Sequence, residues 1–124
     1  MEEVLGNIIR EREEELLTGE KIVQLKELEI SSNNLSEVDD QLMARAVVRI
    51  QTVNLYETRL TTVQVTTLLQ TILAEEELVL ESLDITGTNL GKIDSQLLAR
   101  GLVRIKTVNL VYTSLTTVQV TTLL

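Results

Sequence analysis

The sequence predicts an α/β solenoid in which parallel strands alternate with helices, and three observations carry that prediction. Four stretches share one spacing of apolar residues: LKELEISSNNL from Leu25 to Leu35, IQTVNLYETRL from Ile50 to Leu60, LESLDITGTNL from Leu80 to Leu90, and IKTVNLVYTSL from Ile105 to Leu115. Leu, Ile or Val fills the first, fourth, sixth and last places of each, with Asn33, Thr58, Thr88 or Thr113 in between. A shift of 55 residues lays the second pair of stretches on the first, and TTVQVTTLL at 61–69 recurs unchanged at 116–124. Finally, the 124 residues are 44% hydrophobic but only 2% aromatic, with no Cys, His, Trp, Phe or Pro. Such a core must be aliphatic and assembled by stacking like units, each touching its neighbours.

Taken in order, Met1 to Thr18 carries Val4, Leu5, Ile8, Ile9, Leu16 and Leu17 at helical spacing, with a charged face from Arg10 to Glu15 and Gly19 as a left-handed stop. This predicts an amphipathic helix capping the array, residues 1–24, ahead of four repeats over 25–124. Within each motif a strand alternates its side chains, so Leu80, Leu83, Ile85, Leu90 and their counterparts point inward. Asn33, Thr58, Thr88 and Thr113 sit where the turn begins and are expected to bond backbone groups that the turn leaves unpaired. Asp39 to Val47 and its copy Asp94 to Leu102 read as short helices with Asp39 and Asp94 as N-caps and Leu42, Ala46, Leu97 and Leu98 inward. Thr62 to Ala74, and Thr117 onward, present a conflict: Val63, Val65, Thr66 and Thr67 are β-branched and alternate like a strand. Leu68, Leu69, Ile72 and Leu73 follow at helical spacing, so a helix is expected, capped by Thr61 or Thr62. The last strand is expected over Ile105 to Leu110.

Corresponding strand positions Leu28, Val53, Leu83 and Val108 are separated by 25, 30 and 25 residues, so short and long repeats alternate. On these residues the chain resembles a leucine-rich-repeat solenoid of the ribonuclease-inhibitor-like subtype. That resemblance implies a right-handed array with strands on a concave face and helices on a convex one. It says little about function, because such arrays bind unrelated partners. The chain departs from the pattern in having Thr-Thr-Val-Gln where a proline often opens the long helix. It also stops at Leu124, within its last helical segment, which leads to the expectation of a truncated final repeat.

The strand side chains facing away from the core form rows. Glu27, Thr52, Ser82 and Thr107 make one; Glu29, Asn54, Asp84 and Asn109 the next; Ser31, Tyr56, Thr86 and Val111 the third. These rows make Glu27, Glu29, Thr52, Asn54, Tyr56, Ser82, Asp84, Thr107 and Asn109 the candidate concave binding face. In the middle row carboxylate and amide alternate, which separates like charges between neighbouring strands. Asp39 with Asp40, and the run Glu75 to Glu77, are adjacent carboxylates without the cleft or ligand spacing of an acid–base or calcium site. Arg45, Arg49, Arg100 and Arg104 recur with the repeat and are expected to pair with surface carboxylates. Asn34-Leu35-Ser36 fits a glycosylation sequon that, without a signal peptide, reads as coincidence.

A net charge of −8 argues against a phosphate-backbone partner. No apolar run approaches a membrane span, and the acidic N-terminus is unlike a secretory signal. The expected protein is therefore cytoplasmic, or simply recombinant, without cofactor or metal, and not an enzyme: it lacks His, Cys and a phosphate-cradling glycine loop. Its expected function is a protein-interaction scaffold with an unidentified protein partner. The duplicated nonapeptide supports an alternative, an engineered or truncated array with no ligand of its own. Because Val108, Leu110, Leu115, Val118 and Leu123 would point inward without a following repeat over them, this end is the candidate self-association surface. A two-fold homodimer is the expected result.

Overall fold

The structure, a computed structural model, describes residues 27–123. The predicted N-terminal capping helix, the first motif's Leu25 and the terminal Leu124 lie outside the described residues. Four strands alternate with four helices: β1 (Glu27–Glu29), α1 (Asp40–Val47), β2 (Thr52–Asn54), α2 (Thr62–Ala74), β3 (Ser82–Asp84), α3 (Ser95–Leu102), β4 (Thr107–Asn109) and α4 (Thr117–Leu123). The strands form one sheet in the order β1-β2-β3-β4, every pair parallel. Parallel neighbours cannot be joined by a hairpin, and the intervening helix provides each crossover. Leu28, Val53, Leu83 and Val108 lie side by side across the sheet. The strands are shorter than the sequence pattern suggests, β4 covering three residues where Ile105 to Leu110 was expected. The ladder ends where the chain bends into the turn.

One aliphatic cluster joins the inward strand residues to the helices, including Leu28, Val53 and Leu83 from the strands and Met43, Leu68, Ile72 and Leu98 from the helices. Asn33 donates to the Ile30 carbonyl at 3.0 Å, Thr58 to that of Leu55 at 2.9 Å, and Thr113 to that of Leu110 at 2.6 Å, as expected of turn residues. Thr88 breaks the series. Its backbone amide takes the equivalent Ile85 carbonyl at 3.0 Å, and its buried hydroxyl has no partner. Thr88→Val is therefore expected to leave stability unchanged or to raise it. Thr58→Val, which removes a made bond, should cost about 1 kcal/mol. Urea denaturation of the two variants checks the contrast.

The left-handed backbone position after each strand recurs at Ser32, Glu57, Gly87 and Tyr112, with φ of 60°, 49°, 84° and 55°. Only one of the four is the residue that adopts this region without penalty. Long repeats add a second such residue, Arg59 (58°) and Ser114 (57°). In the short repeats Asn34 and Asn89 instead accept from the amides of Ser36 (3.0 Å) and Gly91 (2.9 Å), an Asx-turn.

Asp39 and Asp94 cap α1 and α3 through the amides of Leu42 and Leu97, both at 2.9 Å. The strand-like TTVQVTT stretches are helical in both copies. Thr61 caps α2 through the Gln64 amide at 3.1 Å while the Gln64 side chain accepts from the Thr61 amide at 2.9 Å, a closed capping box. On a helix, residues two apart lie on nearly opposite sides, so Val63 and Val65 cannot both face the core. Val65 does, and Val63 is 64% exposed. The same geometry turns Val118 outward at 66% exposure, which corrects its expected inward placement.

Between helices, Gly101 of α3 lies so close to α2 that a Cβ there would stand 2.6 Å from Leu69 Cδ2. Gly101 lies in the last turn of α3, where glycine permits close helix approach at a cost of up to about 1 kcal/mol relative to alanine. The expected pairing of the arginines with carboxylates is not what Arg104 does: it donates to the Ile72 carbonyl in the last turn of α2. Arg49 donates to the Arg45 carbonyl at 3.2 Å. A cation at unpaired C-terminal carbonyls satisfies them and complements the helix dipole.

Candidate functional site

Two surfaces hold the residues singled out from sequence. On the open face of the sheet the observed register reproduces the expected first two rows, Glu27-Thr52-Ser82-Thr107 and Glu29-Asn54-Asp84-Asn109. The middle row is occupied by its own backbone. The side-chain oxygens of Glu29, Asn54, Asp84 and Asn109 each accept from the amide two residues on, at 2.9, 2.9, 2.9 and 3.1 Å. Asn54 also donates to Glu29 across the strands at 2.7 Å. The row thus steers the chain from strand into turn, a local demand that polar side chains in this position meet.

Hydrogen bonds from Ser31 hold the Glu29 carboxyl below its ordinary pKa, with Asn54 adding to the effect. Glu81 is lowered by the hydrogen bond from Gln51 (2.9 Å) and then by Lys106, its ion-pair partner at 3.2 Å. Both carboxylates remain charged acceptors, the state their partners favour.

In the third row, Thr86 departs from the expectation of exposure. It is buried, and its hydroxyl bonds Asp84 Oδ1 at 2.6 Å. Tyr56 and Val111 remain exposed, as does Tyr112, the next residue after Val111 in the chain. A shallow hollow of about 390 Å³ lies along the turns, lined by Ser32, Glu57, Arg59 and Gly87, all exposed. Among the described residues no group of three His, Cys, Asp or Glu side chains could hold a metal ion. No helix among them is long and apolar enough to cross a membrane.

The second surface lies beyond β4 and α4. Val108, Leu110, Leu115 and Leu123 pack against the core yet stay half-buried. Their counterparts 55 residues earlier, Val53, Leu55, Leu60 and Leu68, are buried beneath the following strand and helix. Val118 does not join this group, since its counterpart Val63 is exposed even where a repeat follows.

Sequence reasoning missed Gln64 and Gln119. Each is 2% exposed, and each donates to two carbonyls of the preceding repeat: Gln64 to Leu35 (2.6 Å) and Val38 (2.8 Å), Gln119 to Leu90 (2.6 Å) and Ile93 (2.8 Å). The signal was present as Thr-x-x-Gln, the capping-box spacing. No family model, curated protein or solved structure matches this chain.

Proposed function

We propose that the chain is a non-enzymatic protein-interaction scaffold, a leucine-rich-repeat solenoid of the ribonuclease-inhibitor-like subtype, that associates with itself through the surface beyond β4 and α4. The repeat reading is supported by the fourfold apolar spacing and by four parallel strands alternating with helices. The self-association reading rests on one observation: Val108, Leu110, Leu115 and Leu123 are half-buried where their counterparts are buried by a following repeat. Apolar surface of this kind is stabilised by a second layer over it. The open sheet face contributes less, because its polar middle row is already engaged and Tyr56 is the one aromatic in its rows. The unchanged nonapeptide favours a second reading, a repeat array without a ligand of its own.

Light scattering on the eluting chain across a range of concentrations separates the two. The expected result is a concentration-dependent oligomer that Leu123→Lys weakens, with helix content by circular dichroism retained. Val118→Lys should leave it intact, because that side chain points to water in both copies. A chain that stays monomeric at every concentration rejects self-association and favours the second reading.

A further inference from the structure

We propose that the hollow along the turns binds a neutral ligand with vicinal hydroxyls, a saccharide or polyol, at a gap in the backbone ladder between the turns after β2 and β3. The gap is visible by comparison along the array. After β1 the Leu35 amide donates to the Thr58 carbonyl of the next turn at 2.8 Å, and after β3 the Leu90 amide donates to that of Thr113 at 2.8 Å. Leu60 and Thr88 hold the same places in the turns after β2 and β3, and no such bond joins them among the described residues. Three residues earlier these two turns are still laced together, Glu57 donating to Thr86 at 2.9 Å, so they part only beyond the strands.

The parting leaves polar groups in the interior. Leu60 is 7% exposed and Thr88 is 2% exposed, and the Thr88 hydroxyl has no partner, whereas its counterparts Thr58 and Thr113 bond the carbonyls of Leu55 and Leu110. An unpaired buried amide, carbonyl or hydroxyl is costly, and a mixed set of them is best met by a group that both accepts and donates. A hydroxyl does both. A carboxylate only accepts and an ammonium only donates, which turns the choice away from a zwitterion such as an amino acid.

The hollow opens beside these residues: Arg59 precedes Leu60, Gly87 precedes Thr88, and both line it together with Ser32 and Glu57. Its volume of about 390 Å³ lies in the range of small-molecule sites. A Cβ on Gly87 would stand 3.1 Å from Glu57 Cγ, so glycine leaves room for the Glu57 stem along the wall. The Glu57 carboxylate and the Arg59 guanidinium have no hydrogen bond or ion pair among the described residues. One accepts only and the other donates only, and neighbouring hydroxyls on one ligand can satisfy both. Their charges cancel. A neutral ligand also escapes the repulsion that an anion meets from a chain of net charge −8. This site is independent of the self-association proposed above.

Titration of the isotope-labelled chain with methyl glucoside, glycerol and glycine, followed by amide NMR shifts, tests the site. The expected result is a saturable response to a hydroxyl ligand, centred on Leu60, Gly87 and Thr88, with a Kd in the millimolar range suited to so small a ligand in an open hollow. Methyl glucoside stands for a saccharide and glycerol for an open-chain polyol, and whichever binds more tightly names the source. Glycine, a zwitterion without a hydroxyl, should give no such response. Thr88→Val removes the orphaned hydroxyl, and Arg59→Gly removes the guanidinium while placing at φ 58° the residue that adopts it without penalty. Each should weaken binding about tenfold, with circular dichroism showing that both variants fold. No response to either hydroxyl ligand, shifts spread over the surface, or a response to glycine at least as strong overturns the site. Unchanged affinity in either folded variant does so too.

Discussion

Leu83→Ala is expected to destabilise the folded chain by about 2–5 kcal/mol, the range of buried leucine truncations. Leu83 is 2% exposed at the centre of β3, flanked in register by Val53 and Val108, and belongs to the aliphatic cluster shared with the helices. Removing three carbons there leaves a space that neighbours on two strands would have to close, and parallel pairing on both sides resists that movement. Leu28→Ala, in the first strand and 7% exposed, should fall lower in the same range. Urea denaturation followed by circular dichroism measures both. A loss below about 0.5 kcal/mol for Leu83→Ala, typical of surface positions, would contradict its place in the core. In an array with few repeats such a loss is a large share of total stability, since each unit depends on its neighbours.

Gln64→Ala should also be costly for a residue that belongs to a polar class. Its side chain closes the capping box at the start of α2 and donates to the carbonyls of Leu35 and Val38, tying one repeat to the turn of the repeat before it. Alanine removes those bonds together and takes this donor from the Val38 carbonyl, while the Leu35 carbonyl keeps the Val38 amide at 3.0 Å. A buried carbonyl so orphaned costs about 1–3 kcal/mol, and the lost cap adds to that. The expected total is about 2–4 kcal/mol by the same denaturation measurement. Gln64→Glu tests the cause, because a carboxylate has the same shape but no donor. Its loss should shrink as acid protonates the new side chain and restores one O–H, whereas the alanine variant should show no such recovery. Equal behaviour of the two across pH would mean that shape, not donation, is what the site requires.

Much of the fold was legible in the sequence because it depends on local periodicity repeated. The apolar spacing at Leu80, Leu83, Ile85 and Leu90 identifies which side of each strand is inward, and four instances with alternating intervals place parallel strands next to one another in chain order. Asp39 and Asp94 as caps, and the bounds of α2, follow from single-residue chemistry and helical spacing. Even the middle row of the open face, Glu29-Asn54-Asp84-Asn109, was readable as a row.

What those row residues do was not readable, because it depends on the turn that follows. Only once the backbone bends do the side-chain oxygens of Glu29, Asn54, Asp84 and Asn109 meet the amides two residues on. That engagement moves weight from the open face to the terminal surface as the candidate for binding. Thr86 was misplaced for the same reason, since its burial comes from the turn and not from strand alternation.

By itself, then, the sequence determined which residues are apolar at which interval, and through that the order of strands and helices and the aliphatic character of the core. Tertiary structure decided what turns on angle and proximity. In TTVQVTT the β-branched residues alternate as a strand would, and packing against the neighbouring helices selects a helix instead, sending Gln64 and Val65 inward and Val63 outward. The copy follows, burying Gln119 and exposing Val118. Gln64 finds its acceptors at Leu35 and Val38, and Arg104 finds its carbonyl at Ile72, across a separation of 26 to 32 residues. Periodicity along a chain records which face a residue occupies. It holds no information about which backbone groups another repeat brings within hydrogen-bond reach, because that depends on the distance and angle at which two repeats stack.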